Sequence, residues 1–167
     1  MIDTNNNVMW DHTNNTVMWD IRFLRLAKEI STWSKDPSTK VGSILVDEKN
    51  NIISTGYNGF PRGILDTTER YSDRLLRLNL TIHAEMNSIL HAQRDLMGTT
   101  LYTTCMPCVD CTKIIIQSGI KTVVSYKDEP FEQRWADSIA LTVQYLSEAK
   151  ISLIKYEYEN DSLISIN

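Results

Sequence analysis

All three cysteines of this 167-residue chain fall within seven residues, "CMPCVDC" at 105–111. Cys105, Cys108 and Cys111 are three apart, so the run holds two overlapping CxxC pairs. An odd count at such short spacing is a poor disulfide framework and points to metal or redox chemistry in a reducing compartment. About twenty residues upstream lies "TIHAEMNSIL", with His83 and Glu85 two positions apart. Both runs read as helix starts, so the fold must bring two helix N-termini together. Pro107 opens the second helix and Gly119 closes it, the usual polarity of those residues.

The spacing selects Cys108 and Cys111. At i and i+3 on the first turn, both thiols leave one face of the helix. Free N–H groups and the dipole at a helix start favour thiolate. His83 supplies a third donor from the facing helix start. One His and two Cys leave a tetrahedral zinc with an open position, the pattern of a catalytic site. A water bound there loses a proton near neutral pH. Glu85 can reach over that position without ligating the metal. Cys105 precedes Pro107 at a strand end and shares no face with the pair, so it reads as a small apolar residue. His91 is eight residues beyond His83 and too far along the helix to share the ion. A redox CxxC leaves His83 and Glu85 without a role, and no thioredoxin-like order of elements precedes it. A structural zinc would need a fourth protein ligand.

The chain opens with a near-duplicate, "NNNVMWD" then "NNTVMWD". Residues 1–17 are expected to form an Asn-rich tail, disordered or loosely docked. His12 within it is given no role. Residues 18–158 are expected to form one domain and 159–167 a C-terminal tail. "WDIRFLRLAKEISTWS" has helical periodicity. "VGSILVD" and "NIISTGYNG" form a hairpin about "EKNN". The connection "FPRGILDTTERYSDRLLRLN" is partly helical. Then "HAEMNSILHAQRDL" is helix, "TTLYTTC" strand, "PCVDCTKIIIQSG" helix, "IKTVVSY" strand, "SIALTVQYLSEAK" helix and "ISLIKYEY" strand. Two strands are reached through helices and should be parallel. The expected class is α/β, a three-layer α/β/α sandwich around a mixed five-stranded sheet.

The net charge is −4, with no Lys/Arg block, which argues against nucleic acid as a main partner. No apolar run approaches a membrane span and no signal peptide opens the chain, so a cytoplasmic protein is expected.

His83-Ala84-Glu85 with Pro107-Cys108-x-x-Cys111 matches the signature of zinc nucleobase deaminases. With "WSKDPSTKVGSILVD", "GYNGFPRG", "HAEMNSIL", "LYTTCMPCVDCTKIIIQSGIKTVVSY" and "LSEAKISLIKY", the chain from about Met18 to Tyr158 resembles the deoxycytidylate (dCMP) deaminase family of the cytidine deaminase superfold. The resemblance implies hydrolysis of dCMP to dUMP and ammonia, feeding thymidylate synthesis. It carries the zinc-ligand roles to His83, Cys108 and Cys111. Glu85 would protonate N3 of cytosine and then the leaving ammonia. Asn58 would bind the deoxyribose 3′-hydroxyl, and the Ala84 N–H could hold the base O2. The 5′-phosphate would meet "SKDPSTK", with Lys35, Ser38, Thr39 and Lys40, and "YKDEPFEQR", with Lys127 and Arg134. The resemblance also implies a homo-oligomer, often a hexamer, activated by dCTP and inhibited by dTTP. Arg62 and Asp66, in the turn after "GYNG", are the candidate sensors. Some members hold a second zinc through Cys and His residues between hairpin and HAE. Residues 59–82 contain neither, so one zinc per chain is expected. Two rivals stand beside this reading: a deaminase of another cytosine nucleotide such as dCTP, and a catalytically silent zinc-bearing subunit. Intact Glu85 counts against the silent subunit.

Overall fold

Strand residues alternate between two faces of a sheet, and in this chain both faces are apolar. In a computed structural model, which describes residues 12–159 and 162–166, the strands are β1 (Gly42–Val46), β2 (Ile52–Tyr57), β3 (Thr100–Thr103), β4 (Thr122–Tyr126), β5 (Ser152–Glu159) and β6 (Ser162–Ile166). They form one mixed sheet in the order β2-β1-β3-β4-β5-β6. β1 runs antiparallel to β2 and β3, while β3, β4 and β5 are mutually parallel.

The helices are α1 (His12–Ser31), α2 (Thr68–Ser72), α3 (Arg74–Leu80), α4 (Ala84–Ala92), α5 (Val109–Gln117), α6 (Glu129–Arg134) and α7 (Ala136–Glu148). Ile44, Val46, Tyr102, Val124, Tyr126 and Tyr156 face Phe23, Leu24 and Ala27 of α1. Their neighbours Leu45, Leu101 and Val123 face the other way, onto Cys111, Ile115 and Leu146 of α5 and α7. The expected three-layer sandwich is thus observed, and all five residues of β1 are buried because helices cover both of its faces.

Two glycines set the distance between layers. A Cβ at Gly42 would lie 2.0 Å from the Ala27 carbonyl of α1, and one at Gly56 would lie 2.3 Å from the Ala84 carbonyl of α4. No side chain fits at either position, so α1 and α4 rest directly on strand backbone. On the α1 face, buried Asp20 accepts hydrogen bonds from the Tyr102 and Tyr156 hydroxyls, each at 2.7 Å. Burial raises its carboxyl above the usual range, and the two tyrosine bonds oppose that shift.

The structure moves several expected boundaries. Helix α1 begins at His12, inside the segment read as a tail, and Val17 packs on the core. Residues 1–11 lie outside the described residues. The segment 159–167, also read as a tail, carries β6, which adds a sixth strand antiparallel to β5. The helix expected to reach Leu96 stops at Ala92, where Gln93 turns left-handed with φ 48°. "DEPFEQR" is a short helix rather than a loop: Asp128 caps it by accepting the Phe131 N–H at 3.0 Å. Among the described residues, no helix is long and apolar enough to cross a membrane.

Candidate active site

His83 and Cys108 occupy the N-cap positions of α4 and α5. Ser, Thr, Asp or Asn usually stands there and accepts a backbone N–H. Neither side chain does so here. Both turn towards each other instead. His83 Nδ1 lies 3.4 Å from the Cys108 Sγ and 3.4 Å from the Cys111 Sγ. All three donor atoms lie within 4.8 Å of one another. Tetrahedral zinc, with Zn–N about 2.0 Å and Zn–S about 2.3 Å, would hold an N···S pair about 3.5 Å apart. The donor set and its spacing therefore fit zinc.

The three groups are close enough to perturb one another strongly. The Cys108 thiol is lowered to about 4, first by its hydrogen bond from Cys111 and then by His83, against the cost of burial. Cys111 is pushed strongly up by the same bond and by its burial. His83 is raised to about 9, chiefly by its contact with Cys108. A metal would displace these protons, because thiolate and neutral imidazole are the binding forms. Cys105, by contrast, is raised to about 12 by burial. It lies outside the three-donor cluster.

Glu85 is the second residue of α4 and only 4% exposed. Desolvation raises its carboxyl, while the neighbouring His83 charge opposes the rise. Glu85, His83, Ala84, Cys105, Met106 and Cys108 line one cavity of about 180 Å³. Apolar wall comes from Val41, Leu78, Phe131, Trp135 and Ile139. The polar wall is Asp36, Ser38, Thr39, Asn58, Arg74, Arg77, Thr81 and Arg134.

Five of the residues singled out from the sequence outside the metal cluster and Glu85 line this cavity: Ser38, Thr39, Asn58, Ala84 and Arg134. Asn58 also organises the wall, since its Oδ1 accepts the Val41 N–H at 2.8 Å and its Nδ2 donates to the Thr39 carbonyl at 2.9 Å. The lysines do not line it. Lys40 is exposed, Lys35 pairs with Asp66 at 2.7 Å, and Lys127 pairs with Glu129 at 2.9 Å and Glu157 at 3.5 Å. Arg62 and Asp66 also lie outside: Arg62 contacts His91, and Asp66 accepts from Lys35 and Tyr71.

Sequence reasoning missed Arg74, Arg77 and Asp36. Arg77 is buried, donates to Ser38 Oγ at 3.0 Å, and sets its Nε 3.4 Å from Asp36 Oδ2. The Asp36 Oδ1 in turn accepts the backbone N–H groups of Ser38 (2.8 Å) and Thr39 (2.9 Å). The available signal was the i, i+3 spacing of Arg74 and Arg77 on one helical stretch.

Fold and donor set together define a class: an α/β/α protein with a His-Cys-Cys metal cluster at two adjoining helix starts. Residues 17–127 match the family described as the cytidine and deoxycytidylate deaminase zinc-binding region. An uncharacterized deaminase encoded in the luxG 3′ region of Aliivibrio fischeri is 38% identical over 133 residues, covering 79% of this chain and 89% of that protein. A probable deoxycytidylate deaminase of Caenorhabditis elegans is 44% identical over 106 residues, covering 61% of this chain and 54% of its own length. Among solved structures, dCMP deaminase from the cyanophage S-TIM5, in complex with dCMP and dUMP, superimposes with a TM-score of 0.64 at 23% identity, covering 88% of this chain and 98% of that one. This chain belongs to the cytidine and deoxycytidylate deaminase family.

Proposed function

We propose that the chain deaminates dCMP hydrolytically to dUMP and ammonia, with one zinc ion held by His83 Nδ1, Cys108 Sγ and Cys111 Sγ. The observation that carries this reading is the buried Glu85 carboxyl, raised towards neutrality and lining the same cavity as two of the three donors. Zinc bound there would lower the pKa of a water towards neutrality. The reaction forms a bond from water oxygen to C4 of cytosine and breaks the bond from C4 to the amino nitrogen. Glu85 accepts a proton from the water and delivers it to N3, then takes the second proton from the new C4 hydroxyl and gives it to the departing amino group, which leaves as ammonia. Burial raises that carboxyl above the ordinary carboxylate range, which favours its holding the proton between the two transfers.

The remaining wall supplies binding. The Ala84 N–H, at the first turn of α4, has no intrahelical partner and suits the base O2. Asn58 keeps one N–H and one lone pair free for a sugar hydroxyl, on a side chain already fixed at both ends. Arg74 and Arg134 make no ion pair among the described residues and, with Arg77, Ser38 and Thr39, form the phosphate end. Charge-assisted hydrogen bonds are each worth about 1.5–3 kcal/mol, so two favour dCMP over deoxycytidine by roughly a hundredfold or more.

Activation by dCTP, inhibition by dTTP and assembly into a homo-oligomer, on the hexameric plan of the family, belong to the same proposal. The exposed turn with Arg62 and Asp66 is the proposed nucleotide sensor. Ammonia release from dCMP, dCTP, CMP and deoxycytidine, with and without dCTP and dTTP, tests the reading. Preference for dCMP supports it. Equal kcat/KM for dCMP and deoxycytidine would remove the phosphate site, and preference for dCTP would replace the substrate.

A further inference from the structure

The helix that carries both cysteines has no side-chain cap of its own, because Cys108 occupies the N-cap and its thiol faces His83. Something else must hold the turn Pro107-Cys108-Val109 in place. Three hydroxyls do so. Ser138 Oγ, from α7, accepts the Val109 N–H at 3.0 Å and so supplies the missing cap from a neighbouring helix. Thr142, one turn further along α7, donates its hydroxyl proton to the Pro107 carbonyl at 3.0 Å. Thr112 of α5 lies 3.1 Å from Thr142 Oγ1.

The protons fix the direction of this chain. Thr142 has one proton and gives it to Pro107, so it can only accept from Thr112. The Thr112 hydroxyl also donates to the Cys108 carbonyl at 2.9 Å, beside the Thr112 N–H at 2.9 Å, so its one proton is shared between that carbonyl and Thr142. Thr112, Thr142 and the Pro107 and Cys108 carbonyls therefore form one connected network around the first turn of α5. Both threonines are 0% exposed, so water cannot replace a lost hydroxyl without opening the α5–α7 contact.

We propose that Ser138, Thr142 and Thr112 are positioning residues of the zinc site, which fix the first turn of α5 so that Cys108 and Cys111 converge on His83. The inference rests on the zinc reading above. Groups that orient metal ligands typically change metal affinity by about 10- to 100-fold when removed. None of the three hydroxyls is within the donor cluster, so their effect passes through the geometry of the turn.

Thr142→Val is the most direct variant, because it keeps shape and removes only the hydroxyl. Thr142→Ser restores the hydroxyl, and Ser138→Ala, at a partly exposed site, removes the cap should the valine variant not fold. Zinc affinity is read by competition with a chromophoric chelator, and site geometry by the thiolate charge-transfer and d–d bands of the cobalt-substituted protein. The expected results are zinc binding about 10- to 100-fold weaker in Thr142→Val, a weaker and shifted cobalt spectrum, near-native behaviour in Thr142→Ser, and the same direction of change in Ser138→Ala. A merely structural role would lower the urea midpoint while leaving zinc affinity and the cobalt bands as in the native protein. That outcome, in Thr142→Val or Ser138→Ala, overturns the inference and leaves the zinc reading intact. A native protein that binds zinc no better than its Cys108→Ala variant would overturn both.

Discussion

Replacing Arg77 by methionine removes the guanidinium while keeping most of the side-chain volume. Arg77 and Asp36 are 9% and 7% exposed, and their closest charged atoms are 3.4 Å apart. At an effective dielectric of 20, that separation corresponds to about 5 kcal/mol of gross attraction. Breaking one partner of a buried pair typically costs about 3–5 kcal/mol, because the other charge is left uncompensated. The Ser38 and Thr39 donors stay on Asp36 Oδ1 and offset part of that cost. Arg77→Met is therefore expected near the lower end, a loss of about 3 kcal/mol. The methionine also removes the bond to Ser38 Oγ, so the loop that lines the cavity loosens and KM for dCMP rises. Urea denaturation measures the stability term. A second substitution, Asp36→Asn, removes the stranded charge while keeping an amide oxygen for the two N–H groups. In the Arg77→Met background it should restore about 1 kcal/mol or more, a coupling within the usual range for contacting residues. A single-variant loss below about 0.5 kcal/mol, the size of a neutral surface change, would refute the reasoning, as would a double variant no more stable than the single one.

Three further outcomes follow from the geometry. Cys105→Ala should retain zinc, while Cys108→Ala and Cys111→Ala should lose it; metal analysis decides, and the reverse order for Cys105 and Cys108 would contradict the ligand set. Gly56→Ala puts a methyl 2.3 Å from the Ala84 carbonyl and 2.4 Å from the Ser88 nitrogen, so it should cost about 3 kcal/mol and weaken zinc binding by displacing α4; a native melting temperature would show that α4 can yield. Asp20 has a folded pKa raised above 3.8, so its charged form carries a burial penalty that is relieved as pH falls through the folded value towards the unfolded one. The stability of the native protein relative to Asp20→Asn should therefore rise as pH falls from 7 towards 3.8 in urea denaturation, and a fall would show that the tyrosine bonds outweigh desolvation.

The sequence exposed the features that depend on local spacing. Cys108, Cys111, His83 and Glu85 stand at helix starts, and a helix start places side chains by position alone. Strands β1 to β5 were legible because their apolar residues are contiguous or alternating, whereas β6 lies in the segment read as a tail. What stayed hidden depends on contacts between distant segments. Arg77 looked like one more charge on a leucine-rich helix, and only its approach to Asp36, 41 positions earlier, makes it a buried wall of the cavity. Lys127 and Lys35 carried the right charge, but acidic neighbours Glu129, Glu157 and Asp66 engage them away from the cavity. Asn-rich composition hid the start of α1, since Val17, ahead of the helix read from Trp19, packs on the core despite polar neighbours. Asp128 and Pro130 were signals of α6 that charge and loop composition obscured.

In the proposed reaction a buried carboxyl at residue 85 moves the protons of a zinc-dependent deamination. Steady-state ammonia release from dCMP by zinc-loaded Glu85→Gln tests it most directly, because the amide keeps the shape of the side chain and cannot carry the proton. The expected result is a folded protein with native zinc content whose kcat is lower by about 10²- to 10⁴-fold, the usual contribution of a positioned acid–base group. A zinc-loaded variant that turns over dCMP at a rate near that of the native protein would contradict it, and would place proton transfer on another group.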